Sequence, residues 1–276
     1  MAVDFPQYEN VKVERADGIG WLYFNRPEKR NAMSPQLLAE GVDALDRLEI
    51  DDATRVLVLT GEGEAWSAGM DLKEYFRALD DKPAERQKAS WNSRMFNHYR
   101  LVKFPKPTIA MVNGWCFGGA WSPLISCDFA IAAEDAKFGL SEVNWGIIPG
   151  GFVSKDVALA LPYRHQLYYV LTGETFDAKR AVEIGLINMA VPRDQLRAKT
   201  IELAQRLMKI SPAVLRAAKE GIRTVANMDY DEAWDYLRAK NAELISSDPE
   251  QSRNRGIQQF IDEKKFRPGL GPQPRS

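Results

Sequence analysis

The residues able to do chemistry fall in three short stretches. The first is NGWCFGGAWSPL, Asn113 to Leu124, which puts the adjacent pair Gly118 and Gly119 after an aromatic and shortly before the hydroxyl of Ser122. A strand ends near Val112 and a helix is expected to begin near Gly119-Ala120, and the first N–H groups of a helix have no internal partner. Without a Cβ in the way, an anion or a polarised carbonyl can approach such N–H groups, and the helix dipole favours its negative charge. The second stretch, SAGMDL (67–72), repeats the device with the Met70 N–H as donor. Two such donors facing one cavity make an oxyanion hole. Glycine turns of this kind also serve tight packing, and spacing alone leaves both readings open. The third stretch is FGLSEVNWGIIPGG (138–151), which sets Glu142 among apolar residues and glycines. A carboxylate so placed is desolvated, and its pKa rises toward the working range of a general acid or base. The alternative is an ordinary surface glutamate beside a turn.

Other chemistries fit less well. GEGEAW (61–66) opens like a dinucleotide fingerprint but has Trp66 where the last glycine belongs, and no Walker lysine follows. Gly114 to Gly118 has the spacing of a nucleophile elbow, with Cys116 as the nucleophile. Its triad would need a late histidine, and the histidines are His98 and His165. Cys116 then reads as a small packing residue, and the two histidines as surface or packing residues.

The elements that must position these groups can be read from periodicity. NVKVER and IGWLYF alternate around Ala16-Asp17-Gly18, a hairpin signal. Ser34-Pro35 marks a helix N-cap and first helical residue, with Leu38, Val42, Leu45 and Leu48 following at helical spacing. RVLVLTG (55–61), PTIAMVNG and DFAIAAED are short apolar runs with the length of buried strands. GEGEAWSAGMDL reads as loop, with a helix starting near Met70. Lys82 to Lys103 reads as helix, with Trp91, Met95, Tyr99 and Val102 on one face, ended by Pro105 and Pro107. Strand, loop and helix alternate, which predicts a parallel α/β core. After about residue 175 the chain changes character: DAKRAVEIG, a helix from about 194 to 209, SPAVLRAAKEGIR, DEAWDYLRAKNAELI and PEQSRNRGIQQFIDEK are helical in pattern, and the tail RPGLGPQPRS (267–276) is expected to be loose. The division expected is a core over 1–200 carrying the site, and a helical region over 201–276 for oligomerisation and pocket closure.

Bulk properties narrow the classes. The 276 residues carry a net charge of -1, with 45% hydrophobic and 27% charged residues. That suits a globular protein and gives no electrostatic support for a nucleic-acid or anionic-membrane partner. No run of roughly 18 apolar residues spans a membrane, and MAVDFPQYENVKVE lacks the apolar core of a signal peptide. The two cysteines, Cys116 and Cys127, form no CxxC, and no histidines cluster. This argues for a reducing cytoplasm and against a zinc site.

Taken together, NRPEKRNAMS (25–34), WSAGMDLKEY (66–75), KPTIAMVNGWCFGGAWSPLISCDFAIA (106–132), FGLSEVNWGIIPGG (138–151) and LTGETFDAKRAVEIGLIN (171–188) resemble the crotonase, or enoyl-CoA hydratase/isomerase, superfamily. SAGMDLKEYFR, NGWCFGG with its following Ser-Pro, and GLSEVNWGI are most similar to one branch, the hydroxycinnamoyl-CoA hydratase-lyases. The resemblance implies a ClpP/crotonase-like α/β spiral of ββα units with a helical C-terminal part. It implies homotrimers, or dimers of trimers, and an acyl-CoA thioester substrate with no separate cofactor. Carried over by residue, it implies Met70 and Gly119 as the backbone donors and Glu142 as the acid/base. CoA contacts fall at Lys29, Ala68 and Leu72, with Ser141 and Trp145 near the pantetheine end. Typical hydratases have a second glutamate where this chain has Ser122, which leaves one carboxylate with a hydroxyl opposite. Tyr75 matches the tyrosine that binds the ring phenol. The branch has a second such tyrosine in a C-terminal helix; here Arg238 stands in its place, to pair with a phenolate or to remain a solvated helix residue. The implied activity is hydration of a 4-hydroxycinnamoyl (feruloyl-type) thioester, then retro-aldol cleavage to an aromatic (vanillin-type) aldehyde and acetyl-CoA. A plain hydratase or isomerase of aliphatic or other aryl thioesters is the competing expectation, and a non-catalytic binding protein on the same scaffold is a third.

Overall fold

The computed structural model describes residues 3–264. The tail 267–276 lies outside the described residues. The described residues divide into two compact units, 3–104 with 108–201, and 105–107 with 202–264.

The first unit is built on two sheets. The larger has six strands: β1 (Val11–Ala16), β2 (Ile19–Phe24), β3 (Val56–Gly61), β5 (Thr108–Val112), β7 (Phe129–Ala133) and β10 (Met189–Val191), in that order. The smaller has β4 (Ala65–Ser67), β6 (Trp115–Phe117), β8 (Lys137–Gly139) and β9 (Phe176–Asp177). The predicted hairpin is there, with β1 antiparallel to β2 from Val11↔Phe24 to Ala16↔Ile19. From β2 onward the large sheet is parallel. Strands β3 and β4, β5 and β6, and β7 and β8 form successive pairs, and each pair gives one strand to either sheet before the chain crosses over. This is a spiral of ββα units.

Tight corners join the two strands of a pair. At Gly114 an added Cβ would stand 1.8 Å from the Glu64 carbonyl oxygen, so only glycine fits. The Asn113 amide donates to the carbonyls of Gly61 (3.0 Å) and Gly63 (2.7 Å), tying one corner to the preceding one. Asn113-Gly114 in the first motif is therefore structural.

The small-sheet strands are absent from the sequence reading. The stretch taken as loop, GEGEAWSAGMDL, contains β4, and β6 follows Gly114 directly. Strands of three residues are too short to show a period of two. Likewise the short β9 runs into the segment expected to be helical from Asp177, and β10 lies between two segments of helical pattern. The helix expected near Met70 is a single wide turn, Leu72–Phe76. The stretch from Lys82 to Lys103 is helical, yet its buried residues are Ala89, Phe96, Asn97 and Leu101. Trp91 is exposed, and Met95, Tyr99 and Val102 are half-buried. The reason is a π-type segment, Met95–Arg100, between the helices Pro83–Arg94 and Leu101–Lys103. Its wider turn advances the face by one residue and breaks the 3.6-residue period.

The helix Pro35–Ile50 starts as read, with Ser34 Oγ accepting from the Leu37 N–H at 3.1 Å and Pro35 at its first position. It buries Leu37, Leu38, Leu45 and Leu48 in a core that also holds Trp66, Trp121, Phe24 and Phe96.

The second unit has the helices Pro212–Val225 and Tyr230–Ser247, tied by Lys240 Nζ to Glu220 at 2.9 Å, then Ser252–Ile257. Asp229 and Glu232 form a reciprocal capping box at the start of Tyr230–Ser247. Ile222, Trp234 and Leu237 stand exposed. Among the described residues no helix is long and apolar enough to cross a membrane.

Candidate active site

A cavity of about 530 Å³ opens in the first unit, and nine residues singled out in the sequence line it: Ala68, Met70, Leu72, Tyr75, Gly119, Ser122, Ser141, Glu142 and Trp145. They come from the ends of β4, β6 and β8, where the glycine turns lead into short helical segments.

Met70 is held by a bridge to Met33, in which the Met33 N–H donates to Gly69 O (2.8 Å) and the Asp71 N–H to Met33 O (3.1 Å). That pairing leaves the intervening Met70 N–H unused. Asp71 fixes the turn beyond it by accepting from the Lys73 and Glu74 N–H groups, at 3.0 and 2.8 Å. Arg26 buttresses the turn from below, reaching Asp71 Oδ2 at 3.0 Å and Glu74 Oε1 at 2.6 Å. Burial raises the Asp71 carboxyl, but the Glu74 N–H, the Arg26 guanidinium and the Lys73 N–H outweigh it and hold the group below the usual carboxylate range. Arg26, inside the NRPEKRNAMS motif, was not singled out in the sequence; its near-complete burial is visible only once folded.

Gly119 is the second residue of the 3-10 turn Gly118–Ala120, which runs into the helix Trp121–Ser126. Its N–H belongs to the first turn and has no helical acceptor. The two donors are neighbours, since a Cβ built on Gly119 would lie 3.4 Å from Met70 N and 2.8 Å from Met70 Cγ. Gly118 has φ +52° and an added Cβ there would stand 3.3 Å from Glu142 Oε1. The glycine pair thus performs two tasks: one residue opens a donor and the other lets the carboxylate lie against bare backbone.

Glu142 opens the turn Glu142–Trp145 after β8 and is 9% exposed. Burial pushes its carboxyl up from the ordinary value, opposed only by its own N–H. Its Oε2 has no hydrogen-bond partner, and neither does the buried Ser122 Oγ. Among the residues lining the cavity, Glu142 is the only carboxylate and Arg94 the only cation. Such a group, its pKa raised by burial and with the Met70 and Gly119 N–H donors in the same cavity, can move a proton next to a carbonyl whose oxygen becomes an enolate.

Two site residues from the sequence reading are not cavity walls. Lys29 is exposed at the end of the turn Pro27–Lys29, and Arg238 is exposed on Tyr230–Ser247 in the second unit. Ser93, Arg94, Asn97 and Phe152 line the cavity without having been singled out. Ser93 and Arg94 end the helix Pro83–Arg94, Asn97 lies in the π-type segment after it, and Phe152 precedes the helix Val153–Ala160. His98 stacks on Phe152 with ring centroids 4.6 Å apart and places Nδ1 3.7 Å from Asp156, a packing role like that read for it. Cys116 is wholly buried in β6, and burial pushes its thiol well up, which argues against a nucleophile elbow.

The family model for enoyl-CoA hydratase/isomerase matches residues 14–268. The chain is 51% identical over 270 residues to a hydroxycinnamoyl-CoA hydratase-lyase of Pseudomonas fluorescens, covering 96% of each. It is 30% identical to a probable enoyl-CoA hydratase of Mycobacterium tuberculosis, over 93% of this chain and 96% of the relative. Among solved structures, an enoyl-CoA hydratase from Bacillus anthracis superposes with a TM-score of 0.84 at 30% identity, covering 96% of this chain and 99% of the other. One from Geobacillus kaustophilus gives 0.85 at 29%, covering 98% and 99%. Both the match along the chain and the shared spiral lead to one assignment: the chain belongs to the enoyl-CoA hydratase/isomerase family.

Proposed function

We propose that the protein hydrates a 4-hydroxycinnamoyl-CoA thioester of the feruloyl type and then cleaves the product to an aromatic aldehyde and acetyl-CoA. The observation that carries this reading is one buried carboxylate, Glu142, with an unpartnered oxygen, in a cavity that also holds Tyr75 and the neighbouring Met70 and Gly119 backbone donors. The half-identical hydratase-lyase of Pseudomonas fluorescens supports the same chemistry.

The thioester oxygen accepts from the Met70 and Gly119 N–H groups. Glu142 takes a proton from water, and the oxygen of that water bonds to the β-carbon. The electrons of the double bond move to the thioester oxygen as an enolate, whose charge the two N–H groups hold. Glu142 returns the proton to the α-carbon, giving the β-hydroxy thioester. In the second step Glu142 removes the β-hydroxyl proton. The Cα–Cβ bond breaks, the β-carbon leaves as an aldehyde, and its electrons return to the thioester enolate. Protonation of that enolate gives acetyl-CoA. Water and thioester in, aldehyde and acetyl-CoA out, the atoms balance. Both steps pass through one type of enolate, so one pair of donors serves both, and neither step calls on a metal, nicotinamide or flavin.

Ser122 holds the attacking water or the β-hydroxyl, and Tyr75 binds the ring hydroxyl. A single carboxylate here also avoids the like-charge repulsion of a pair. Ala68, Leu72, Ser141 and Trp145 follow the CoA arm, with Lys29 meeting it outside the cavity. The core over residues 1–200 carries the site. The C-terminal region from 201 serves assembly as a trimer or a dimer of trimers, supported by the exposed Ile222, Trp234 and Leu237. A cytoplasmic location is part of the same reading. Arg238, on that region, stays a solvated helix residue in this reading. Incubation with feruloyl-CoA and with an aliphatic enoyl-CoA, followed by product identification, tests the reading. Aldehyde and acetyl-CoA in equal amounts are expected from the first; hydration without cleavage of either would instead favour a plain hydratase.

A further inference from the structure

The cavity contains a third polar group that the protein leaves incomplete. Asn97 is 5% exposed and forms part of the wall. Its amide nitrogen donates to Ser93 Oγ at 3.0 Å, and its backbone carbonyl accepts from Ser126 Oγ at 2.8 Å. Its amide oxygen Oδ1 is buried with no hydrogen-bond partner. The wide turn Met95–Arg100 is what brings it inward, because it buries two consecutive residues. Phe96 enters the core, its ring 5.9 Å from that of Phe24, and Asn97 reaches the cavity. Turns of this type recur at functional sites.

Buried polar atoms are nearly always satisfied. An apolar side chain would close this wall without leaving an acceptor unpaired. An acceptor that two neighbouring contacts hold in place, inside a binding cavity, is completed by a donor that arrives with the ligand. Tyr75 lines the same cavity. A phenol hydroxyl is at once a donor and an acceptor, so one ring hydroxyl can engage both side chains.

Resting on the reading of the site as a hydroxycinnamoyl-CoA lyase, we propose that Asn97 is a specificity-determining residue whose Oδ1 accepts the hydrogen of the ring hydroxyl that Tyr75 engages at its oxygen. The site then selects an O–H and not merely an oxygen. An aryl ether in the same place has no hydrogen to give and leaves Oδ1 unpaired, which a site built around a hydroxyl rejects strongly.

The test compares 4-hydroxycinnamoyl-CoA with 4-methoxycinnamoyl-CoA. Both keep an electron-releasing oxygen para to the side chain, and they differ at the hydrogen. The ratio of their kcat/KM values, and of their Kd values, is measured for wild type, Asn97→Leu, Asn97→Ala and Asn97→Asp, with circular dichroism to confirm folding. Wild type is expected to prefer the hydroxy thioester by on the order of tenfold or more. Asn97→Leu and Asn97→Ala bring the ratio near one, and Asn97→Asp, which keeps an acceptor oxygen, restores most of the preference. A ratio unchanged in the Leu and Ala variants, or lost equally in the Asp variant, overturns the proposal. Absence of aldehyde and acetyl-CoA from wild type with the hydroxy thioester would instead overturn the lyase reading, and the Kd ratios would still decide the role of Asn97.

Discussion

The cavity has two differently built regions. Around Glu142, every group stands at the end of a strand of the small sheet, next to a glycine, and the donors are backbone. Around Tyr75 and Asn97, the groups are side chains on wide helical turns, Leu72–Phe76 and Met95–Arg100. Backbone donors at strand ends can be moved only by moving the sheet, whereas side chains on such turns can be exchanged one at a time. The first region suits a chemistry that stays the same and the second suits the choice of acyl group.

The comparison breaks most readily at Glu142. Glu142→Gln should lower kcat by about 10²- to 10⁴-fold, the usual contribution of a general acid/base, with the fold intact. Steady-state kinetics checks this, and retention of more than about half the activity would remove Glu142 from the mechanism.

Gly119→Ala comes next. Its Cβ would meet Met70 Cγ at 2.8 Å, so the Met70 side chain must shift where the two donors meet. A loss of about 10²-fold in kcat is expected, the cost of losing one oxyanion donor. A kcat within about threefold of wild type would mean that these N–H groups do not carry the enolate.

At Ser122 a smaller effect sharpens the division. Ser122→Ala removes one positioning hydroxyl, worth roughly 1 kcal/mol, so kcat/KM should fall by about fivefold. A loss equal to that of Glu142→Gln would give Ser122 a share in proton transfer.

The smallest effect is on stability. Burial raises the folded-state pKa of Glu142 above its unfolded value. Between the two values the folded chain binds more protons, so the unfolding free energy falls as pH rises through that window. At about pH 8 Glu142→Gln should therefore be at least as stable as wild type, and the difference should vanish below the ordinary glutamate range. Denaturant unfolding at the two pH values checks the sign. For the same reason the acid limb of kcat/KM should lie above the ordinary carboxylate range.

How much was legible in the sequence follows the same division. The Glu142 region could be read because its parts have local signatures: paired glycines after a buried apolar run, and a carboxylate in an apolar loop. The resemblance then assigned Met70, Gly119 and Glu142, and the cavity contains all three. The long strands and the capped helix at Ser34 were equally plain. Asn97 was hidden because the π-type segment Met95–Arg100 shifts the buried face, so a 3.6-residue period pointed to Tyr99 instead. The three-residue strands β4, β6 and β8 were hidden by their length. Arg26 was hidden because its partners Asp71 and Glu74 lie more than forty residues away.

In the proposed mechanism one carboxylate and one pair of N–H donors serve both hydration and cleavage. The most direct measurement supplies wild type and Glu142→Gln with the two substrates separately, the 4-hydroxycinnamoyl thioester and its β-hydroxy adduct, and follows aldehyde release from each. The substitution is expected to slow release from both, each by about 10²-fold or more. Cleavage of the β-hydroxy adduct at the wild-type rate by Glu142→Gln would contradict it.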